Sequence, residues 1–202
     1  MHVTCAKTFT VGAEGEARSV PGGATRRVQI VSFVLFQIAW FAAVMGAAHR
    51  WPTLGTFLVL AVVAVHILMS VRPRTELAFV AIVVALGLLF ESAVAVQGHI
   101  VYPSGQPVSW LAPYWIVALW GLLATAPNVT LRWLKRRPGL AAVLGAICGP
   151  ASFLAGVRLG GARFVDAMPA LLTLAIAWAV LMPTLMALSI RLDGFAAEPD
   201  KR

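Results

Sequence analysis

Apolar positions along this chain come in long unbroken runs rather than in alternation. There are six, at residues 28–48, 54–71, 77–97, 110–131, 139–157 and 167–190. A helix of about 20 apolar residues is long enough to cross a bilayer core. The runs are parted by His49-Arg50-Trp51-Pro52, Arg72-Pro73-Arg74, a polar uncharged stretch over 98–109, a basic stretch ending at Pro138, and a turn holding Arg163 and Asp166. Pro73 and Pro138 forbid simple continuation of a helix through them. The pattern predicts an all-α integral membrane protein with six transmembrane helices over residues 27–191. Residues 1–26, small, polar and rich in Gly, read as a flexible cytoplasmic tail, and 192–202 as a short mixed-charge one.

The first run is entered through Arg26-Arg27, and Gly46-Ala47-Ala48 resembles a signal-peptide cleavage site. It is longer than a usual signal core and contains Gln37 and Trp40, so it is expected to stay as a true span.

Composition narrows this further. Hydrophobic residues make up 60%, charged ones 12%, and the mean hydropathy is +0.85, which excludes an ordinary soluble domain. A net charge of +8 invites a nucleic-acid reading, but most tryptophans lie in or beside apolar runs, and topology explains the charge better. With the N-terminus inside and six spans, thirteen Lys and Arg fall on one side and only Arg50, Arg158 and Arg163 on the other. Basic residues favour the cytoplasmic face, so both termini of this multi-pass protein are expected in the cytoplasm. Cys5 and Cys148 suggest neither a disulfide nor a metal cluster.

Candidate chemistry is sparse. Glu91 sits inside the third run, roughly 10 Å below its external end, with no basic residue in that run. An ionisable group at such depth faces protein, water or a partner rather than lipid. It reads either as a titrating or counter-charge group, or as a neutral carboxylic acid hydrogen-bonded between helices. His66 is a lone intramembrane histidine, expected to be satisfied by a neighbouring hydroxyl or carbonyl. No second histidine lies at its depth for haem, and no helix-turn spacing suits zinc, so no metal and no cofactor is expected.

Gly145, Gly149, Ser152, Gly156 and Gly160 form one smooth helical stripe, the usual device for close packing in membranes. Gly149-Pro150 in its middle suggests a kink or helix break, as in transporter substrate sites. Gln37, Trp40, Glu91 and Trp120 fall at similar depth and suggest an outward-opening polar and aromatic cavity. Arg158 is placed to meet an anionic headgroup. No nucleophile elbow, phosphate loop or metal signature occurs, so an enzymatic reading lacks its usual marks.

The ordered series FQIAWFAAVMGA, FES, APYWIVALWGLLAT and LGAICGPASFLAGVRLGG, over about 28–161, resembles a family of small bacterial multi-spanning inner-membrane proteins catalogued only as a domain of unknown function. In that family the position of Glu91 is commonly aspartate and that of Phe153 commonly tyrosine. The acid is retained in kind here, and the hydroxyl is lost. The resemblance supplies no catalytic residues. It implies gene neighbours similar to cyclopropane-fatty-acid synthases and to envelope-stress regulators, and hence a role with membrane lipids. The expected function is therefore an accessory of membrane-lipid modification or envelope stress, with membrane lipids and a membrane protein or a second copy of the chain as partners. The alternative is a small transporter subunit in which Glu91 titrates.

Overall fold

A computed structural model describes residues 25–196; the N-terminal tail and the last six residues lie outside the described residues. Six α-helices run back and forth: α1 Arg26–Ala48, α2 Pro52–Met69, α3 Pro73–Gln97, α4 Tyr114–Ala124, α5 Pro138–Arg158 and α6 Ala167–Arg191. Five are long and apolar enough to cross a membrane; α4 is not. A two-residue antiparallel pair, β1 Ile100–Val101 with β2 Arg163–Phe164, ties the α3–α4 link to the α5–α6 link.

The outer surface is apolar, with Leu54, Phe57, Leu68, Leu89 and Ile176 exposed, while the interior favours small residues such as Ala39, Ala43, Ala47 and Val59. This distribution suits a bundle solvated by lipid, where helices associate through close packing rather than by hiding apolar surface. A side chain at Gly55 would collide with the backbone at Ala42 and Ala43, so α1 and α2 meet backbone to backbone.

Helix α4 corrects the expected span over 110–131. It has only 11 residues, and most of them are buried. Pro113 caps its start, and Pro127, which has no N–H to bond back to Leu123, prevents the helix from continuing. The chain then turns through residues 125–131 by short bonds such as Leu131 N–H to the Ala126 carbonyl. Residues Ala124 to Val129 are buried, so this irregular backbone lies within protein. That is the condition on which such backbone is tolerated at membrane depth. Helices α1, α2 and α3 all pack on α4, whereas α5 and α6 pair chiefly with each other.

At Gly149-Pro150, where the sequence allowed either a kink or break or close packing alone, α5 is helical throughout, with Pro150 inside it. The missing proline bond does not open the helix because α6 braces it there. A side chain at Gly145 would strike the Trp178 backbone, and one at Gly149 the Trp178 ring. Gly156 meets nothing within 4 Å, and Gly160 lies past the helix end in a left-handed turn at φ +88°.

The connections α2–α3 and α4–α5 and the residues after α6 share one end of the bundle. Arg72 N–H bonds the Gly194 carbonyl there, and Lys135 bonds Asp193. At the opposite end Ser104 Oγ donates to the Ala47 carbonyl at 2.8 Å.

Gly87 carries a test of this packing, since a methyl group there would overlap the Trp120 ring. Gly87→Ala is expected to cost about 1–3 kcal/mol by overpacking. Gly156→Ala, made in open space, is expected to leave the thermal midpoint of detergent-purified protein unchanged or slightly raised. Equal behaviour of the two variants in a thermal melt would contradict the seating of Trp120 on Gly87.

Candidate functional site

Helix α3 carries two buried carboxyl groups, and each organises a polar centre. The first is Glu91, 1% exposed, whose Oε1 accepts from Trp120 Nε1 at 2.9 Å. Gly87, one turn earlier on α3, makes room for that ring. Trp120 in turn stacks on Trp178 with centroids 5.3 Å apart and planes at 24°, and meets the edge of Phe90. One residue on, Ser92 Oγ accepts from the Ala112 N–H at 3.1 Å and fixes the entry to α4.

The β1–β2 pair leads the chain to Tyr102, whose ring lies edge-on to Trp115. Trp115 is held by its own Nε1 donating to the Ser104 carbonyl at 3.2 Å. Burial, and next the neighbouring Glu91, hold the Tyr102 hydroxyl well above the usual phenol range, so it stays a donor.

These groups line a cavity of about 120 Å³ in the cleft between the α5–α6 hairpin and the α1, α3 and α4 unit. Phe36, Trp40 and Val44 come from α1; Trp115, Ile116 and Trp120 from α4; Ser152, Phe153 and Gly156 from α5; Trp178 from α6. Glu91 Oε2, Tyr102 OH and Trp178 Nε1 are buried there without a well-formed hydrogen bond among the described residues, although the Tyr102 hydroxyl lies near enough to Glu91 for the two to interact. Buried polar atoms are nearly always paired, so three orphans on one cavity mark a place where a further group belongs.

Of the residues expected to form a cavity, the structure brings together Trp40, Glu91 and Trp120, and adds Gly156 from the glycine stripe. It does not bring in Gln37, which is exposed on the outer face of α1, or Arg158, exposed at the end of α5. Gln37, expected at the depth of Glu91, lies on the wrong helical face for the cavity. Tyr102 and Trp178 were missed, because a loop residue and a last-helix tryptophan carry no periodic signal that points inward.

The second centre, at the other end of α3, was also missed. Glu76 is fully buried; Oε1 pairs with His66 Nε2 at 2.8 Å, and Oε2 accepts from Asn128 Nδ2 at 2.7 Å and from the Gly194 N–H at 3.0 Å. The partner of His66 is thus a carboxylate rather than the expected hydroxyl or carbonyl. Asn128 Oδ1 accepts from Lys135 Nζ at 2.6 Å, and Lys135 and Arg132 both reach Asp193, at 2.9 and 2.6 Å. Burial holds the Lys135 ammonium below its usual range, opposed by its bond to Asp193. Glu76 and Asp193 here face Lys135 and Arg132, every oxygen of the Glu76 carboxylate is used, and the arrangement reads as a structural clasp. Its one sequence signal was an acid within a basic boundary, Arg72-Pro73-Arg74-Thr75-Glu76.

No group of three or more His, Cys, Asp or Glu residues able to hold a metal occurs among the described residues. Cys148 is free and exposed; Cys5 lies outside the described residues.

The chain belongs to the family described as a protein of unknown function (DUF2878), whose model matches residues 29–184. No curated protein and no solved structure matches it. The matched stretch includes Glu91, Tyr102, Trp120 and Trp178, as well as Glu76 and Asn128, but stops short of Asp193 and Gly194.

The two centres differ in what their loss should cost. Glu76→Ala strands His66, Asn128 and the Gly194 N–H, and is expected to destabilise by about 3–5 kcal/mol, as when one member of a buried charged network is removed. Trp120→Phe removes one donor from Glu91 and shrinks the ring stacked on Trp178, and is expected to cost about 1–3 kcal/mol. Thermal unfolding in detergent measures both. A larger loss for Trp120→Phe would reverse the assignment of the clasp as the main structural centre.

Proposed function

We propose that this chain is a multi-pass membrane protein that holds the polar end of an amphiphile in the cavity beside Glu91, with the apolar remainder running out through the cleft between α5 and α1. The observation that supports it is the convergence of three unpartnered polar atoms on an otherwise aromatic and aliphatic wall. Binding pockets for small molecules have this character: apolar lining with a few placed polar groups. Size limits the guest. At about 120 Å³ the cavity is comparable to the ~150 Å³ void that holds a benzene, so it takes a compact head group and not a whole acyl chain.

On this reading the protein is an accessory to membrane-lipid chemistry or envelope stress in the bacterial inner membrane, with both termini cytoplasmic. It presents or shelters a lipid end for a partner protein or within an oligomer. The shared end of the bundle that carries Arg72, Arg132, Lys135 and Arg191 is then the cytoplasmic one, in keeping with the excess of basic residues there. A transporter reading draws on the second carboxyl: Glu76 and Glu91 lie fifteen residues apart on α3, about 22 Å, as two stations for a proton. The unbroken α5 and the fully bonded Glu76 supply neither a gate nor a free acceptor, and the amphiphile reading is preferred.

Native mass spectrometry of protein purified in mild detergent tests this directly. A bound amphiphile is expected on the wild type, lost in Glu91→Ala and Trp178→Leu, and kept in Gln37→Ala, whose side chain faces outward. Retention in all variants, or in none including the wild type, would contradict a site at Glu91. Reporter fusions at both ends are expected to give the cytoplasmic signal; an external signal from either would overturn the orientation.

A further inference from the structure

Resting on that reading, we infer that the head held beside Glu91 is an organic ammonium group. Three features of the cavity, independent of one another, lead there. The wall is dominated by aromatic rings, with Trp40, Trp115, Trp120, Trp178, Tyr102 and Phe153 drawn from four helices and a loop. A carboxyl group is sunk among them at 1% exposure with one oxygen unpartnered. No Lys, Arg or His lines the cavity, and Glu91 makes no salt bridge among the described residues.

Each feature selects on charge. Aromatic faces attract a cation through the ring quadrupole, most strongly for tryptophan and where water is excluded. A carboxyl group buried with no positive neighbour keeps its proton rather than stand as an uncompensated charge; a cationic guest lets it ionise, and an anionic guest opposes that. An anionic headgroup, carboxylate or phosphate alone, would find no cationic side chain here.

The other orphan atoms refine the class. Trp178 Nε1 donates only, so it calls for an acceptor oxygen near the nitrogen of the guest. Tyr102 OH, held protonated, can donate to Glu91 or to the guest. An amino-alcohol head meets all of these: ammonium toward Glu91 and the rings, and a hydroxyl, ester or ether oxygen toward Trp178. The rings are also braced in advance. Trp120 is pinned by Glu91, Trp115 by the Ser104 carbonyl, and Trp178 by stacking on Trp120, so the guest need not order them.

Calorimetric titration of the full chain in nonionic detergent, stripped of co-purified lipid, tests the charge. The probes are choline, ethanolamine, and dimethylbutanol, the neutral isostere of choline with carbon in place of nitrogen. Choline or ethanolamine is expected to bind about tenfold or more tighter than dimethylbutanol, a preference of the size a desolvated cation–π site supplies. Glu91→Gln keeps a carbonyl that can accept from Trp120 but puts a donating NH2 in place of the second oxygen and cannot ionise, and is expected to abolish the preference. Trp40→Leu, on the half-exposed side of the cavity, is expected to weaken the cations several-fold and to leave dimethylbutanol unchanged.

Repeating the titration with the lysophospholipid of the favoured head separates a lipid headgroup, bound more tightly than the free amine, from a soluble cation, bound equally. Equal binding of choline, ethanolamine and dimethylbutanol to the wild type would overturn the ammonium inference while leaving an amphiphile site standing. Binding of none of the probes, with a lipid still retained by native mass spectrometry, would overturn it too. An absence of retained lipid would count instead against the amphiphile reading.

Discussion

Helix α4 is too short to cross a membrane, and much of the rest of the structure follows from that. Eleven residues rise about 16 Å, roughly half of a ~30 Å hydrocarbon core. The chain on either side is irregular and carries peptide groups that lipid cannot bond. Such a segment is stable only inside protein, and helices α1, α2 and α3 close around it. Helix α3 then supplies polar groups at both of its ends: Ser92 to the backbone entering α4, Glu91 to Trp120, and Glu76 to Asn128 just beyond the Pro127 stop. Two carboxyl groups that would be costly in an ordinary span have a structural reason here.

Wrapping α4 occupies the inner faces of the first three helices and leaves α5 and α6 to pair with each other. Their contact is built on Gly145 and Gly149, which admit Trp178. Trp178 both locks the hairpin and stacks on Trp120, so one side chain joins the two halves. Where they join imperfectly, a cleft remains. Small groups on one side, Ser152, Gly156 and Ala162, face large aromatic ones on the other, and the space between is the cavity at Glu91. The carboxyl that anchors α4 with one oxygen leaves its second oxygen without a well-formed hydrogen bond beside that space.

The helical class and the placing of five long apolar helices were legible because each depends on run length and composition, which a single sequence carries. The shortness of α4 was half-legible. Pro113 and Pro127-Asn128 bracket it, but an apolar run over 110–131 looks like a span whether it is helical throughout or only over eleven residues. Depth was read more securely than direction: Gln37 and Trp40 are three residues apart on α1, yet one faces outward and the other lines the cavity. Which face is inward depends on neighbouring helices, and neighbours are set by tertiary packing. The clasp at Glu76 could not be assembled from the sequence for the same reason, since His66, Glu76, Asn128 and Asp193 come from separate segments and meet only once the bundle closes.

The most direct test of the central claim, that the open oxygen of Glu91 faces a site for a guest rather than a gap in packing, is an experimental structure of the full chain in lipid nanodiscs. The account predicts an elongated non-protein density in the cleft, its compact end within hydrogen-bond distance of Glu91 Oε2 and its tail passing between α1 and α5. A cleft closed by α5 against α1, with Tyr102 bonded to Glu91 and no density between the tryptophans, would contradict it.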